Sequence, residues 1–186
     1  MIYSRTPFRI SLFGGGSDYP TWYNEHGGRV LGMAIDKYCY ISMRELPPFF
    51  EHRHRIAYSK IELVNEVSEI QHPAVRAALE QFPPAVGLQI HHDGDLPARS
   101  GLGSSSSFMV GLVNLLRSFQ GEQTTKEDLA CFAIHLERDV LKEYVGSQDQ
   151  IWAAYGGFNR INFSPSNSFS VTPIPILPVR RKQLLV

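Results

Sequence analysis

The sequence has few cysteines, no long apolar run and no excess of charge of either sign. Its two cysteines, Cys39 and Cys131, are too few for the disulfide framework of a small secreted domain, so a reducing environment is predicted. No apolar run reaches the ~20 residues that a membrane-spanning helix needs. Arginine and proline interrupt the N-terminal segment MIYSRTPFRI, which argues against a signal peptide. We therefore expect a cytoplasmic protein that does not bind membranes.

The balance of charge also narrows the choice of partners. Eighteen basic residues match eighteen acidic ones, so the chain lacks the overall positive field that attracts nucleic acid, and no nucleic-acid partner is expected. With 186 residues, 43% of them hydrophobic, the chain is long enough for one domain with a substantial core.

Strand patterns dominate the first half of the sequence and helical patterns the second. The predicted strands are YSRTPFRISLF, RVLGMAIDKYCYISM (one or two strands), RHRIAYS, IELV, AVGLQIHHD and GGFNRINF. The predicted helices are HPAVRAALEQF, the segment from Ser105 to Phe119, the segment from Thr125 to about Glu143, and SQDQIWAAY. GGGSDYP is predicted to be a turn and SVTPIPILPV an extended tail. Because no steady alternation of strand and helix occurs, the pattern favours an α+β fold.

The stretch PARSGLGSSSS, residues 97–107, leads directly into the apolar segment FMVGLVNLLRSF. A helix N-terminus there would present unpaired amide groups and a partial positive charge, which attract phosphate. Gly101 and Gly103 would let the backbone approach an anion closely, and one serine hydroxyl could bind Mg²⁺. The pattern is neither a Walker A motif nor a hydrolase nucleophile elbow. A capped helix behind a flexible loop is the alternative interpretation.

Four further residues are candidates for chemistry. Glu137 lies at the edge of the apolar face of its helix, where an unpaired carboxylate is costly, so either a basic side chain or a divalent cation is expected beside it. Asp149 lies just after a glycine, at the start of a loop or helix. It is either a catalytic group or a helix cap. Arg9 lies on the first strand, where a charge that faces solvent is the simpler interpretation. Asp18 lies in the glycine turn, where an ordinary turn residue is the simpler interpretation.

Taken together, three stretches carry a family resemblance. TPFRISLFGGGSDYP, PARSGLGSSSS and ERDVLKEYVGSQDQIWAAYGG resemble, in order and spacing, the N-terminal half of the GHMP small-molecule kinases. Within that superfamily, GGGSDYPTWYNEHGGRVLGMAIDKY and YSKIELVNEVSEIQHPAVRAAL are most similar to D-glycero-D-manno-heptose 7-phosphate kinases and related sugar 1-kinases.

The resemblance implies a specific α+β fold. Residues 1–170 would form an ATP-binding domain like domain 2 of ribosomal protein S5, with a left-handed βαβ crossover. Residues 171–186 would be a proline-punctuated segment leading to a C-terminal ferredoxin-like domain that is missing from this chain, together with the family's third glycine-rich motif.

The resemblance also implies ATP and Mg²⁺ and a set of site residues. Asp149 matches the catalytic base and Arg9 the residue that stabilises the transferring phosphoryl group. Ser105 (or Ser104) and Glu137 would lie at the metal. The residues implied for ATP are Pro97, Ser100, Gly101, Leu102, Gly103, Ser104, Ser105, Ser106 and Ser107 around the triphosphate, and Tyr58 and Lys60 at the adenine. Those implied for the sugar are Asp18, Tyr19, Gly16 and Ser17.

The implied activity is phosphoryl transfer from ATP to the anomeric hydroxyl of a sugar, first of all D-glycero-D-manno-heptose 7-phosphate, giving the 1,7-bisphosphate. A fucose or other hexose 1-kinase is an open alternative. So is a non-catalytic module that binds a nucleotide or sugar phosphate. The partners expected are therefore ATP and a sugar or sugar phosphate, with a second copy of the chain or a complementary C-terminal half as possible protein partners.

Overall fold

The computed structural model describes residues 1–97, 100–166 and 168–184, and in these ranges a sheet is covered by a layer of helices. The strands are β1 (Ile2–Phe13), β2 (Gly28–Glu45), β3 (His54–Ala57), β4 (Ile61–Val64), β5 (Leu88–Gly94), β6 (Phe158–Phe163) and β7 (Phe169–Pro173). The helices are α1 (Pro20–His26), α2 (Pro73–Gln81), α3 (Ser104–Phe119), α4 (Lys126–His135), α5 (Gln148–Tyr155) and α6 (Pro178–Leu184). None of them is both long and apolar enough to cross a bilayer.

The seven strands form one sheet in the order β4-β3-β5-β2-β6-β7, with β1 paired to β2. Because β1 pairs with parts of β2 that also pair with β5 and β6, it must lie along the opposite edge of β2. All the pairings are antiparallel except that of β3 with β5. The predicted α+β fold is thus confirmed, while the left-handed sense of the crossover stays a prediction.

An irregularity in β1 decides where Arg9 points. Between Pro7 and Arg9 the register with β2 shifts. Before the shift Thr6 faces α3, since a Cβ on Gly111 of that helix would lie 2.6 Å from its Oγ1. After the shift the odd-numbered Ser11 faces the helices, and its hydroxyl donates to Gln148 of α5 at 2.8 Å. Since a one-residue slip exchanges the two faces of a strand, the shift turns Arg9 toward the helical layer.

Two strand ends bring the predicted nucleotide-binding segments to the same edge of the sheet. β5 ends at Gly94 and leads into the glycine-serine segment, and β3 runs parallel to β5 and ends at Ala57, just before Tyr58. Neighbouring parallel strands end at the same edge of a sheet. Tyr58 and Gly101, which the resemblance implies for ATP, are about forty positions apart in the sequence. Both therefore lie at the same edge of the sheet.

The helices pack over the sheet through two apolar clusters. The larger cluster includes Phe8, Ile41, Leu112 and Leu136, with α3 at its centre. The smaller cluster is built around Trp152 of α5, which is fully buried. The apolar residues that recur at helical spacing in α3 and α5 thus pack against the sheet, as the sequence indicates.

One sequence prediction on the elements is wrong, one holds in part, and one helix was not predicted. The helix predicted from Thr125 to about Glu143 ends at His135 and continues as one wider π-type turn to Val140, after which Lys142 adopts a left-handed φ of 58°. The predicted extended tail begins in the strand β7, as expected, but its last two residues belong to α6, which begins at Pro178. The helix α1 follows the glycine turn, and the sequence analysis did not predict it. Both α1 and α6 begin with proline, which suits the first turn of a helix because proline has no amide hydrogen to leave unpaired.

Candidate active site

Arg9 and Asp149 form a two-pronged ion pair at the centre of the candidate site. The Nε and Nη2 atoms of Arg9 donate to Oδ1 and Oδ2 of Asp149, each at 2.6 Å. The two residues are 140 positions apart in the sequence. Their side chains are 13% and 24% exposed, so water screens the pair only partly. The solvent-facing interpretation of Arg9 is therefore wrong, and Asp149 lies in the first turn of α5 and not at its cap.

Arg9 also fixes the glycine-serine segment at the start of α3. Its Nη1 donates to the carbonyl oxygen of Gly101 at 2.8 Å, and its backbone amide donates to that of Leu102 at 3.1 Å. Gly103 caps α3 with a left-handed φ of 76°, and a Cβ on it would lie 3.4 Å from Oδ2 of Asp149. The helix N-terminus and the ion pair are therefore adjacent, and the capping position has no side chain to satisfy the first amides of α3.

The serines differ in their surroundings. Ser106 and Ser107 are buried, and the Ser107 hydroxyl donates to the carbonyl oxygen of Pro7 at 2.8 Å. Ser104 is half-buried and Ser105 is exposed. Pro97 and Ser100 flank Ala98 and Arg99, which belong to the predicted loop but lie outside the described residues.

Glu137 is a buried carboxylate with an unused oxygen. It is 1% exposed, and its Oε2 accepts hydrogen bonds from the Ser106 hydroxyl at 2.9 Å and from the Gln150 side-chain amide. Its Oε1 is buried and has no hydrogen-bond partner among the described residues. Burial raises the pKa of Glu137 to about 7. No described lysine or arginine forms a salt bridge with it, so the simple ion-pair interpretation fails. Ser106, rather than Ser105 or Ser104, is the serine in contact.

Asp18 joins the glycine turn to the start of α5. Its carboxylate accepts hydrogen bonds from the amides of Gly16 at 3.0 Å and Gln148 at 3.2 Å, and its carbonyl oxygen accepts one from Ser147 at 3.1 Å. The residue is fully buried, and this burial raises the pKa of its carboxyl group. Asp18 thus holds the residue that precedes Asp149, and its sugar contact stays a prediction.

The other predicted sugar-binding residues surround Asp18. Gly16 has a left-handed φ of 97°, and the Ser17 hydroxyl donates to the Gly14 carbonyl oxygen at 2.8 Å. Tyr19 is the N-cap residue before α1, and its ring lies 5.1 Å from that of Tyr144, centroid to centroid.

Tyr58 and Lys60 lie near aromatic side chains that flank α3. The Tyr58 hydroxyl donates to Glu62 at 2.8 Å, and its ring meets His72 edge-on at 4.8 Å. His72 in turn lies 5.1 Å from Phe108, in the second turn of α3. Lys60 is exposed, and its carbonyl oxygen accepts a hydrogen bond from the Tyr58 amide at 2.8 Å. These rings could accept a planar base, so an adenine site here stays a prediction.

The sequence analysis missed two glutamines and a tyrosine at the site. Gln150 donates to Glu137, Gln148 accepts from Ser11, and Tyr144 packs on Tyr19. A signal for Gln150 was present, because it precedes Ala153 by three residues and therefore shares the inward face of a short helix. Tyr144 lies in an irregular loop, where no periodicity predicts its direction.

The residues fit a nucleotide with its divalent cation. The uncapped first turn of α3 suits phosphate oxygens, and a cation beside Oε1 of Glu137 would remove the cost of a buried, unpaired oxygen. No group of three acidic, histidine or cysteine side chains that could hold a metal occurs in the described ranges. Mg²⁺ fits that arrangement, since it commonly takes one or two carboxylates and completes its shell with substrate phosphates and water.

Comparison with known proteins supports the family suggested by the sequence. Residues 64–157 match the family model of the GHMP kinases N-terminal domain. A D-glycero-alpha-D-manno-heptose 7-phosphate kinase of Campylobacter jejuni is 29% identical over 184 residues, which cover 94% of this chain and 54% of that protein. A galactokinase of Chloroflexus aurantiacus is 25% identical over 187 residues, covering 93% of this chain and 45% of that protein. The chain thus spans about half the length of these two relatives.

The fold has a close counterpart among solved structures. The crystal structure of a D-glycero-D-manno-heptose 1-phosphate kinase from Bacteriodes thetaiotaomicron superposes with a TM-score of 0.82 at 27% identity, covering 95% of this chain and 61% of that one. The arrangement of sheet and helices described above is therefore that of a solved kinase domain.

Proposed function

Because this chain belongs to the GHMP kinase family, we propose that it provides the catalytic N-terminal domain of a sugar kinase, which transfers a phosphoryl group from ATP to the anomeric hydroxyl of its substrate. The substrate proposed first is D-glycero-D-manno-heptose 7-phosphate, and the product is then the 1,7-bisphosphate. The heptose 7-phosphate kinase of Campylobacter jejuni is 29% identical to this chain, against 25% for the galactokinase, and this difference is the reason for proposing the heptose phosphate first.

One observation carries the proposal: the paired Arg9 and Asp149 side chains lie directly beside the uncapped N-terminus of α3. Phosphoryl transfer depends mainly on positioning and on neutralising charge. A carboxylate, a guanidinium group and a set of backbone amides supply those functions at one place. A structural ion pair alone would not require the adjacent amides to be left without a cap.

The segment from Gly101 to Ser107 would hold the triphosphate through its backbone amides, and Glu137 with Ser106 would hold Mg²⁺. When bound, ATP supplies the phosphoryl group and Mg²⁺ neutralises negative charge on it. We further propose that Tyr58 lies beside the adenine, where its ring already contacts His72.

Asp149 would accept the proton of the sugar hydroxyl. Each of its oxygens accepts one hydrogen bond from Arg9 and keeps a lone pair for a second. Arg9 orients the carboxylate and places a positive charge beside it, where charge on the phosphoryl group would develop. Asp18 keeps the start of α5 in place through the Gln148 amide, so the position of the base depends on a buried group outside the reacting centre.

The substitution Asp149→Asn tests the proposal. Removal of a general base should lower the rate of transfer ~10²–10⁴-fold, while nucleotide binding is retained because the amides of α3 are unchanged. ADP release should be measured with heptose 7-phosphate, fucose and galactose, and nucleotide binding by calorimetry. Asp139→Asn is the matched control, since Asp139 is exposed and pairs with His135.

The possible outcomes separate the candidate functions. Rapid transfer by a folded Asp149→Asn protein would remove Asp149 from the role of base. If the unsubstituted chain binds nucleotide and sugar phosphate but releases no ADP, then the alternative function, a non-catalytic binding module, is favoured for this polypeptide. Preferred turnover of fucose or galactose would reassign the substrate and leave the kinase chemistry intact.

A further inference from the structure

The loop of residues 141–147 connects the π-type turn to α5 and is tied to the candidate site at both ends. The amide of Glu143 donates to the carbonyl oxygen of Glu137 at 2.9 Å, and the amide of Ser147 donates to that of Asp18 at 3.1 Å. Within the loop, Lys142 is the one described non-glycine residue with a positive φ, 58°. Such a conformation is held only when its surroundings determine it. The two hydrogen bonds therefore hold the loop beside Glu137 and Asp18.

This loop carries an exposed aromatic side chain at its tip. Tyr144 is 79% exposed, although it packs against Tyr19 with ring centroids 5.1 Å apart and planes inclined by 39°. Tyr19 follows Asp18 directly. Burial, followed by the nearby Asp18, Tyr144 and Asp149 groups, raises the pKa of the Tyr19 hydroxyl. The pair of tyrosines is here called the tyrosine wall. It adjoins Asp18, whose carboxylate accepts a hydrogen bond from the amide of Gln148, the residue before Asp149.

The chemistry of the tyrosine wall suits a sugar ring. A monosaccharide has hydroxyl groups around its edge and one or two faces made of C–H bonds, which pack on the face of an aromatic ring. Tyrosine provides a large and rigid contact surface at little conformational cost, together with a polar hydroxyl at its end. Hydroxyl contacts and a shaped apolar wall together decide which of several similar sugars is accepted.

We propose that Tyr144 is a specificity-determining residue of the sugar site, where the tyrosine wall packs against a C–H face of the monosaccharide that receives the phosphoryl group. This inference rests on the proposed kinase function and deepens it, because it names a residue outside the glycine turn and the ion pair that would contact the sugar. Tyr144 is not a catalytic residue, since the base and the guanidinium group are in place without it.

The test compares Tyr144→Ala with Tyr144→Phe, which keeps the ring. We expect Tyr144→Ala to raise the KM for the preferred sugar by ~10-fold, the scale of one aromatic contact, with kcat and the KM for ATP unchanged. The sugars compared are heptose 7-phosphate, fucose, galactose and mannose. The ratio of kcat/KM for the preferred sugar to that for the second-best sugar should fall by a similar factor. Tyr144→Phe should behave as the unsubstituted chain does. Phe49→Ala, at an equally exposed aromatic residue in the loop after β2, is the control.

A second measurement does not depend on turnover. In saturation-transfer NMR, irradiation of the aromatic protons should reach the ring C–H protons of the sugar in the unsubstituted chain and in Tyr144→Phe, and should be strongly reduced in Tyr144→Ala. Active Tyr144→Ala with unchanged KM, sugar ranking and saturation transfer would overturn the inference and leave the kinase function standing. If the unsubstituted chain neither binds nor phosphorylates any of the sugars, the proposed function fails and the inference fails with it.

Discussion

At the scale of single residues, Glu137 shows how a site can store an electrostatic cost. The carboxylate is withdrawn from water, receives two neutral hydrogen-bond donors and keeps one oxygen without a partner among the described residues. Burial favours the protonated acid and outweighs the two hydrogen bonds, which favour the carboxylate, so the pKa rises to about 7. A cation beside Oε1 would remove this cost, so under the proposed function the residue would favour metal binding at the expense of the stability of the metal-free chain.

The pH dependence of stability should reveal this cost. In the unfolded chain Glu137 has an ordinary pKa near 4.5, and in the folded chain about 7. Below the lower value both states are protonated and nothing is lost. As the pH rises from 4.5 toward and past 7, the unfolded state releases its proton first, so the folded state loses stability, by about 3 kcal/mol in all.

The substitution Glu137→Gln isolates that effect. The free energy of unfolding of the unsubstituted chain minus that of Glu137→Gln should fall by about 3 kcal/mol between pH 4.5 and 8. Urea denaturation in EDTA measures it, and the subtraction cancels the other titrating groups. A difference that stays constant, or rises with pH, would show that Glu137 is ionised without cost in the folded chain.

The partners of Glu137 also show what the sequence could predict about the site. Its position on the apolar edge of a helix correctly indicated burial. The assignment of Ser105 or Ser104 to the metal stays a prediction, and the sequence analysis did not identify Ser106 as the serine that donates to Glu137. The helical spacing of α3 could have predicted that Ser106 is buried, since it precedes Val110 and Val113 by four and seven residues and so shares their buried face. The spacing of Gln150 from Ala153 indicated that Gln150 faces inward, but a buried glutamine does not by itself indicate a site, so its contact with Glu137 was not predicted.

At the scale of elements, α3 lies unusually close to β1 and β2. Gly111 permits this, because a Cβ at its position would be 2.6 Å from Oγ1 of Thr6 and 3.0 Å from the hydroxyl oxygen of Ser4. The start of the same helix contacts Arg9 further along β1. The close approach in the middle of the helix therefore helps to set the position of its N-terminus at the site.

Gly111→Ala should therefore destabilise the chain, although alanine is the better helix former. The gain in helix propensity is about 1 kcal/mol and overpacking costs roughly 1–3 kcal/mol, so we expect a net loss. Thermal and urea unfolding measure it. Thr6→Ala in the same chain should recover part of the loss, since it removes the atom that lies closest.

Asn114→Ala provides the control, because Asn114 is exposed on the same helix. It should leave stability unchanged or slightly higher. If Gly111→Ala is as stable as the unsubstituted chain and Thr6→Ala has no compensating effect, then the helix and the strand are not in close contact.

The sequence predicted the elements whose pattern is strong and missed those defined by tertiary contacts. Alternation in β1 and helical spacing in α3 identified both elements within one residue or so at each end. The end of α4 was misjudged because the apolar spacing continues through the π-type turn to Leu141, while the backbone departs from the α-helix. The side chain of Arg9 points toward the helices because of a register shift in β1, and no sequence pattern in the strand predicts that shift.

At the scale of the whole molecule, the site exists only when distant parts of the chain are assembled. Arg9 comes from β1, Gly103 from the start of α3, Glu137 from the turn after α4, and Asp149 from α5. Family resemblance could identify these residues from the sequence, but their contacts depend on packing in both apolar clusters. Residue identity was therefore easier to predict than geometry.

The two apolar clusters are joined, and this makes a final prediction possible. Ala154 packs against both clusters, and β2 passes beneath both, with Val30 in the smaller one and Ile41 in the larger. Trp152 is fully buried at the centre of the smaller cluster. Trp152→Ala should cost about 3–5 kcal/mol, and because the clusters share residues we expect the loss to extend to the larger one.

Native-state hydrogen exchange can distinguish a loss of stability in both clusters from a loss confined to the smaller cluster. With Trp152→Ala, the most protected amides of α3 should lose as much protection as those of β6, although α3 belongs to the larger cluster. Retained protection in α3 with loss in β6 would instead mean that the clusters unfold separately. In that case Asp149, carried by the same helix as Trp152, could leave Arg9 while the α3 end of the site stayed folded. Equal loss in α3 and β6 would mean that coupling of the clusters keeps Asp149 and the N-terminus of α3 together.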